Sequence, residues 1–313
     1  MRYTNIGVLK SSKTVLGTDY YGQTVDKSGV FRLIDLYREY GGNHIDTAKI
    51  YSGGESERLI GEWLRSRGRD GIIVATKGGH PEFDTMDIPR LSTAELEYDL
   101  DGSLARLGVD CIDLYWLHRD GNGVDCGEVI EALNSFVKKG KIRFFGASNW
   151  SAERINAANE YAAKHGLYGF CASQIKFSPA ITSPSFSDDP TLVEMNEKEF
   201  EYYKTSKLPV LAFAPQAKGF FSKMAAGGEA ALSAKARDRY LCKENLKRLE
   251  RIKTLAEDYG CPVAAIVCAL LSSVRSTEVL PIIGGKNESQ LSESLRGADI
   301  VLDDAAVKEI IGF

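Results

Sequence analysis

The sequence predicts an α/β fold, a (β/α)8 barrel, on three observations. Short β-branched or apolar runs alternate with longer stretches of helical periodicity, eight such runs occur along 313 residues without a break in composition, and polar residues collect at or just past the ends of several runs. Alternation argues for parallel strands joined by helices. Uniform composition argues for one domain over residues 1–313 rather than two open sheets. Polar strand ends are where a barrel does its chemistry.

In chain order the strands are expected at Thr14–Leu16, Asn43–Asp46, Ile72–Thr76, Cys111–Leu117, Ile142–Gly146, Cys171–Gln174, Val210–Phe213 and Val279–Ile283. Between them, helical spacing of apolar residues marks Ser28–Tyr40, Glu55–Arg67, Thr93–Leu107, Glu128–Lys139, Ala152–His165 and Lys243–Tyr259, several of them closed by a glycine. Ile112, Leu114 and Trp116 share one side of their strand, an apolar row suited to a barrel interior. Ser178–Asp189, rich in serine and proline, reads as a loop after the sixth strand. Gly219–Ala236, rich in alanine and glycine, reads as a mobile excursion after the seventh.

Four residues at these strand ends form a chemically coherent set: Asp46 and Lys77 on two strands, Tyr51 in the loop after the first of them, and His118 after a third. A phenol is a poor acid at neutral pH, and an ammonium beside it stabilises its anion and is expected to lower its pKa. Tyr51 next to Lys77 would then pass a proton to or from a carbonyl oxygen, with Asp46 holding Lys77 and His118 orienting the carbonyl.

The balance of the chain narrows its partners. Its net charge of −4 and pI near 5.7, with both signs interleaved, give no reason to expect nucleic acid, so a small-molecule partner is expected. Six cysteines are scattered without metal-ligand spacing, which reads as buried thiols in a reducing compartment and predicts no metal. No apolar run approaches membrane-spanning length and no secretory h-region opens the chain, so the cytoplasm is the expected location.

With these residues in place the chain resembles the aldo-keto reductase family over essentially its full length. Asp46, Tyr51, Lys77 and His118 match that family's tetrad in order, type and context, including Gly53-Gly54-Glu55-Ser56-Glu57 after Tyr51 and His118-Arg119-Asp120. The resemblance implies a TIM barrel with a short N-terminal hairpin. It also implies a nicotinamide cofactor, NADP(H) preferred and NAD(H) possible. Gly17 and Thr18 follow the first barrel strand, while Ser148, Asn149 and Gln174 correspond to residues that hold the nicotinamide carboxamide in relatives; Ser148 and Asn149 also read as a helix N-cap ahead of Ser151. Phe213, ahead of Pro215, stands where an aromatic ring stacks on nicotinamide. Lys218, Gly219 and Phe220 correspond to a pyrophosphate clamp.

For the adenosine phosphate the resemblance points to Gly284, Gly285, Lys286, Gln290, Glu293 and Ser294. Here Asn287 replaces a second basic residue and Ser294 an asparagine, so one cation remains to meet a 2′-phosphate. The substrate pocket implied by relatives includes Asp19, Tyr20, Ile50, His80, Trp116 and Arg119, and the carboxylate of Asp19 favours a hydroxylated aldehyde, ketone or sugar. Two other functions fit the same family: an NAD-dependent sugar or polyol dehydrogenase, and a cofactor-sensing, non-catalytic subunit of a channel.

Overall fold

A computed structural model describes residues 1–121, 123–186 and 189–312. The chain opens with an antiparallel hairpin, β1 (Tyr3–Ile6) and β2 (Leu9–Ser12). Eight parallel strands follow: β3 (Val15–Gly17), β4 (His44–Asp46), β5 (Ile73–Gly78), β6 (Ile112–Leu117), β7 (Ile142–Ser148), β8 (Ser173–Lys176), β9 (Val210–Phe213) and β10 (Val279–Ile283). They close into a barrel in the order β10-β3-β4-β5-β6-β7-β8-β9, the TIM barrel expected from the strand–helix alternation.

The helices are α1 (Lys27–Glu39), α2 (Glu55–Arg67), α3 (Thr93–Leu107), α4 (Cys126–Lys138), α5 (Ala152–Lys164), α6 (Glu197–Ser206), α7 (Phe220–Gly227), α8 (Ala234–Tyr240), α9 (Lys243–Asp258), α10 (Val263–Ser272), α11 (Glu288–Leu295) and α12 (Asp304–Ile311). Local chemistry sets their ends. Asp26, Ser92, Asp125, Ser151, Asn196 and Asn287 accept backbone N–H groups at six N-termini, and Ser92 with Glu95 forms a reciprocal capping box. Gly108 takes the left-handed conformation that ends α3. The cap of α5 is Ser151, not Ser148 or Asn149.

Apolar side chains separate into two layers. Leu33, Ile34, Leu59, Trp63, Leu100, Tyr115, Leu133 and Phe145 pack between strands and helices. Inside the barrel lie Val15, Ile73, Ala75, Leu114, Trp116, Ala172, Leu211 and Leu280, joined by Ile6 and Leu9 of the hairpin, which plugs the N-terminal end. Ile112 departs from the expected row and joins the outer cluster, leaving Leu114 and Trp116 inside. Trp116 fills the interior so completely that a Cβ added at Gly146 would lie 2.3 Å from its ring.

One other expectation changes. The region Gly219–Ala236, expected as a mobile excursion, is largely helical: α7, a short 3₁₀ turn over Gly228–Ala231 and the start of α8 occupy it, with Phe220, Phe221 and Leu232 buried in the core against α9 and α10. The alanine- and glycine-rich composition of the segment disguised this packing. The loop over 178–189 is irregular as expected, except that 187 and 188 lie outside the described residues. Among the described residues no single helix is long and apolar enough to cross a membrane.

The hairpin is anchored by His44, whose Nδ1 lies 2.8 Å from Ser11 Oγ. Ser11 donates to the Ser12 carbonyl, so His44 Nδ1 carries the proton, and Nε2 is buried with no partner among the described residues. Burial, with Lys77 adding to it, lowers the His44 pKa to about 3. A base depressed in this way stabilises the fold fully above its unfolded pKa near 6.5, and that stability is lost as pH falls from about 6.5 towards 3. The expected result is that wild type loses stability below pH 6.5 by up to ~1.4 kcal/mol per pH unit from this group alone. Urea unfolding from pH 7 to pH 4 tests it, because His44→Leu should show a shallower decline; parallel declines would assign the acid sensitivity to other groups.

Candidate active site

Parallel register brings the polar strand ends to one face. Asp46 ends β4, Lys77 lies one residue before the end of β5, and His118 directly follows β6, where its N–H is held by the Gly78 carbonyl at 2.8 Å. Tyr51 begins a turn in which Ser52, Gly53 and Gly54 all adopt positive φ, and the chain then enters α2. Two glycines are needed for so tight a reversal. Ser56 and Glu57 of the Gly-Gly-Glu-Ser-Glu motif anchor α2 to the barrel top. Ser56 Oγ donates to the Thr18 carbonyl at 3.1 Å, and Glu57, fully buried, accepts from Thr76 Oγ1 at 2.5 Å and Arg106 Nε at 2.6 Å.

Lys77 is buried, and its ammonium has three acceptors matching its three protons: Asp46 Oδ1, the Thr47 carbonyl at 2.7 Å and Tyr51 Oη at 3.3 Å. Burial opposes the Lys77 charge, but Asp46 and Tyr51 outweigh it and the pKa is raised. The Tyr51 phenol is also raised, because the protein packed around it outweighs the opposing pull of Lys77, while Asp46 and Asp19 add to the rise. This reverses the expected direction: the lysine limits a burial effect that the sequence did not reveal. Tyr51 is therefore protonated at neutral pH. His118 is driven well below the usual histidine range by burial, then by Lys77, Arg119 and His80. Its Nδ1 is buried without a partner among the described residues.

The neighbouring residues sort differently from expectation. Asn149, at φ 58°, has its amide committed to protein: Nδ2 donates to the His118 carbonyl and to Ser148 Oγ, each at 3.2 Å, and Oδ1 accepts from Val193 N at 3.2 Å. Arg119 is likewise committed. Its guanidinium donates to the His118 carbonyl at 2.9 Å and Thr191 Oγ1 at 2.9 Å, with Asp189 at 3.5 Å, and so pins the loop after β8 against the barrel instead of opening towards a substrate. Trp116 lies wholly inside the barrel, packed in its interior cluster.

His80 is buried at the end of a turn through Gly79, with its ring centroid 4.9 Å from that of His118. Its Nδ1 must donate to the Pro81 carbonyl, 2.6 Å away, leaving Nε2 as an acceptor; burial lowers its pKa. Ile50 and Tyr20 are partly exposed beside the site. Asp19 is open to solvent yet recessed between protein walls that raise its pKa, and it has no ion-pair partner within 4 Å among the described residues. Lys218, Lys77 and Lys286 act on it from a distance.

On the other side of the mouth, Gly17 ends β3 at the level of Asp46, and Thr18 Oγ1 donates to the Asp46 carbonyl at 3.0 Å. Gln174 does not end its strand, since β8 runs on to Lys176, but it pairs with Ser148 and so sits level with the end of β7. Phe213 ends β9 and is partly exposed. Pro215 accepts a hydrogen bond from Ser178 Oγ at 2.8 Å through its carbonyl. Ala214, Ala217 and Lys218 all hold positive φ ahead of Gly219 and Phe220. With Asn149 they make four of the six non-glycine residues in that conformation among the described residues, the kind of stored strain that concentrates at functional sites.

Gly284 and Gly285 follow β10 and lead to α11. Lys286 is exposed, its Nζ 5.1 Å from the Tyr20 ring centroid and its N–H donating to Gln290 Oε1. Glu293 is exposed, whereas Ser294 is buried and turned inward, accepting from Gln216 Nε2 at 2.9 Å.

Sequence reasoning missed Asp99. On the buried side of α3, its carboxylate accepts from Lys49 Nζ at 2.5 Å, from Arg90 Nη2 and Nη1 at 3.1 Å each, and from Gly79 N at 3.0 Å. It ties together the loops carrying Tyr51 and His80. The available signal was an acidic residue on the apolar stripe of Leu96, Leu100 and Leu107.

A closed eight-stranded barrel with an acid, an ammonium, a phenol and an imidazole converging at the C-terminal mouth is the arrangement of a carbonyl oxidoreductase. A model of the Aldo/keto reductase family matches residues 13–312, and the chain belongs to that family, whose members are oxidoreductases using nicotinamide cofactors. The chain is similar to the uncharacterized oxidoreductase YrpG of Bacillus subtilis, 30% identical over 99% of this chain and 94% of that protein. It is also similar to a probable voltage-gated potassium channel subunit beta of Oryza sativa subsp. japonica, 27% identical over 96% of this chain and 92% of that one. Among solved structures, the thermostable aldo-keto reductase Tm1743 superimposes with a TM-score of 0.75 over 100% of this chain and 99% of that one, at 21% identity, a likeness of fold alone.

Proposed function

We propose that this chain catalyses reversible hydride transfer between NADP(H) and a carbonyl or alcohol carbon, with Tyr51 as the general acid and base. The observation that carries the reading is the connected chain from Asp46 through Lys77 Nζ to Tyr51 Oη, opposite the neutral imidazole of His118. In reduction Tyr51 Oη gives its proton to the substrate oxygen, and Lys77 stabilises the phenolate left behind. His118 Nε2–H donates to the same oxygen and holds the carbonyl in line. In oxidation the proton returns to Tyr51.

The residues present fit a nicotinamide. With Asn149 committed, the level of Ser148 and Gln174 offers one donor and one acceptor without partners among the described residues, the Ser148 hydroxyl and Gln174 Oε1, which match the C=O and NH2 of a primary carboxamide. The exposed side of Phe213 gives a flat apolar surface for the ring. Lys218 and Lys286 have no acidic partner within 4 Å among the described residues and would meet phosphate. Bound cofactor supplies the hydride; all proton handling belongs to the chain.

Because only NADP(H) carries the 2′-phosphate, Lys286→Ala is expected to weaken NADPH by about tenfold, the worth of one charge-assisted contact, while NADH changes by less than about twofold. Fluorescence titration with both cofactors checks this, and equal losses would remove Lys286 from 2′-phosphate recognition.

For the substrate, the acceptor set around the mouth, Asp19 and His80 Nε2, favours a hydroxylated aldehyde, ketone or sugar, since an apolar carbonyl leaves those groups unpaired. The experiment is turnover of purified protein with NADPH against aldoses, ketoses, keto-sugars and apolar aldehydes of similar size. Consumption of NADPH with higher kcat/KM for the hydroxylated set supports the reading. Cofactor binding without turnover of any carbonyl would favour a cofactor-sensing subunit, and turnover with NADH alone a dehydrogenase of sugars or polyols.

A further inference from the structure

We infer that Gln174 is a positioning residue that braces Asp46 from across the barrel, so that the group proposed to seat the nicotinamide also sets the acid–base machinery. The inference rests on the proposed reading for the cofactor but not for the brace itself. In the barrel order, β4 and β8 are four strands apart of eight, on opposite sides of the mouth. Gln174 Nε2 nevertheless lies 2.9 Å from Asp46 Oδ2, with Gln174 2% and Asp46 1% exposed. A carboxylate only accepts, so the amide is oriented with its NH2 towards Asp46 and its Oε1 turned away, without a partner among the described residues.

The two oxygens of Asp46 are therefore divided: Oδ1 serves Lys77 and Oδ2 serves Gln174. This matters because all three Lys77 protons are spoken for, and the one directed at Tyr51 Oη is the longest of the three contacts. If the Asp46 carboxylate turned about its Cβ–Cγ bond, Lys77 would follow it and the contact to Tyr51 would be lost first. The neutral amide opposes that rotation while adding no charge to a buried pair. A carboxamide NH2 donating to Gln174 Oε1 would polarise the amide and strengthen its N–H donation to Asp46, so a seated nicotinamide tightens the brace.

The test begins with cofactor-free protein, so it does not depend on turnover. A double-mutant cycle of Gln174→Met and Asp46→Ala is read by urea unfolding. Removing the amide should raise the unfolding equilibrium constant about tenfold in wild type, the worth of a hydrogen bond to a charged group, and less than about twofold once Asp46 is absent. Equal effects in the two backgrounds would overturn the brace. In turnover at saturating NADPH, Gln174→Met should lower kcat at least about tenfold in addition to raising the NADPH Kd. A raised Kd with unchanged kcat would reduce Gln174 to a carboxamide contact and also overturn the inference.

Should Gln174→Met fail to fold, Gln174→Glu keeps the question open to measurement, because its carboxyl can donate to Asp46 only while protonated. Its stability relative to wild type should then be greater at pH 6 than at pH 8, and a ratio independent of pH would count against the brace. If the protein binds no nicotinamide, the unfolding cycle still decides the brace, whereas the proposed function fails on its own assay.

Discussion

Tyr51→Phe is expected to lower kcat by about 10³-fold, within the 10²–10⁴ that a positioned proton donor contributes, and to leave NADPH affinity nearly unchanged. The substitution keeps the ring that stands 4.9 Å from Lys77 Nζ and removes only Oη, which no proposed cofactor contact uses. The pH dependence follows from the raised phenol pKa. Reduction requires the protonated phenol, so kcat for reduction should be flat through neutral pH and fall as pH rises through the Tyr51 pKa. Oxidation requires the phenolate and should increase over the same alkaline range. Steady-state kinetics in both directions, with NADPH titration and circular dichroism to confirm binding and folding, checks the set. A correctly folded variant with near wild-type kcat would remove Tyr51 from the chemistry.

Asp99→Ala should produce the largest loss of stability among single substitutions near the site. It deprives Lys49 and Arg90 of a shared buried carboxylate and leaves Gly79 N without its acceptor. Breaking a buried pair from one side costs about 3–5 kcal/mol, which for a chain of this size is a fall in Tm on the order of 10 °C. Activity should fall as well, because the same carboxylate holds the segments leading to Tyr51 and from Lys77 to His80. Asp99→Asn retains an acceptor for Gly79 N and should lose less. Calorimetry of both variants tests this. An alanine variant as stable as wild type would show that the cations find other partners and that Asp99 does not fasten these loops.

The barrel itself was legible because its signals are local. Apolar runs of strand length, helical periodicity and closing glycines are each read within a short window, and the closed parallel sheet follows from their alternation. The same holds for the placement of Asp46, Lys77 and His118 at strand ends, since strand direction fixes the face they reach. The error over 219–236 shows the limit of composition. Alanine and glycine suggested looseness, yet Phe220 and Phe221 at the head of a short helix are both buried in the core.

What the sequence by itself determined was the barrel, the family and the chemical types at its mouth: an acid, a phenol, an ammonium and an imidazole. Which hydrogen bond each side chain makes was decided only by tertiary structure. Asn149 and Arg119 carry the same polar groups whether they face a ligand or a loop, and only the return of the chain near Val193 and Thr191 commits them to the protein. Gln174 and Asp46 are 128 positions apart and meet because barrel closure sets opposite strands across one narrow mouth. The sign of the Tyr51 shift was settled in the same way, since Lys77 can be named from a motif but the burial that outweighs it belongs to the packed molecule.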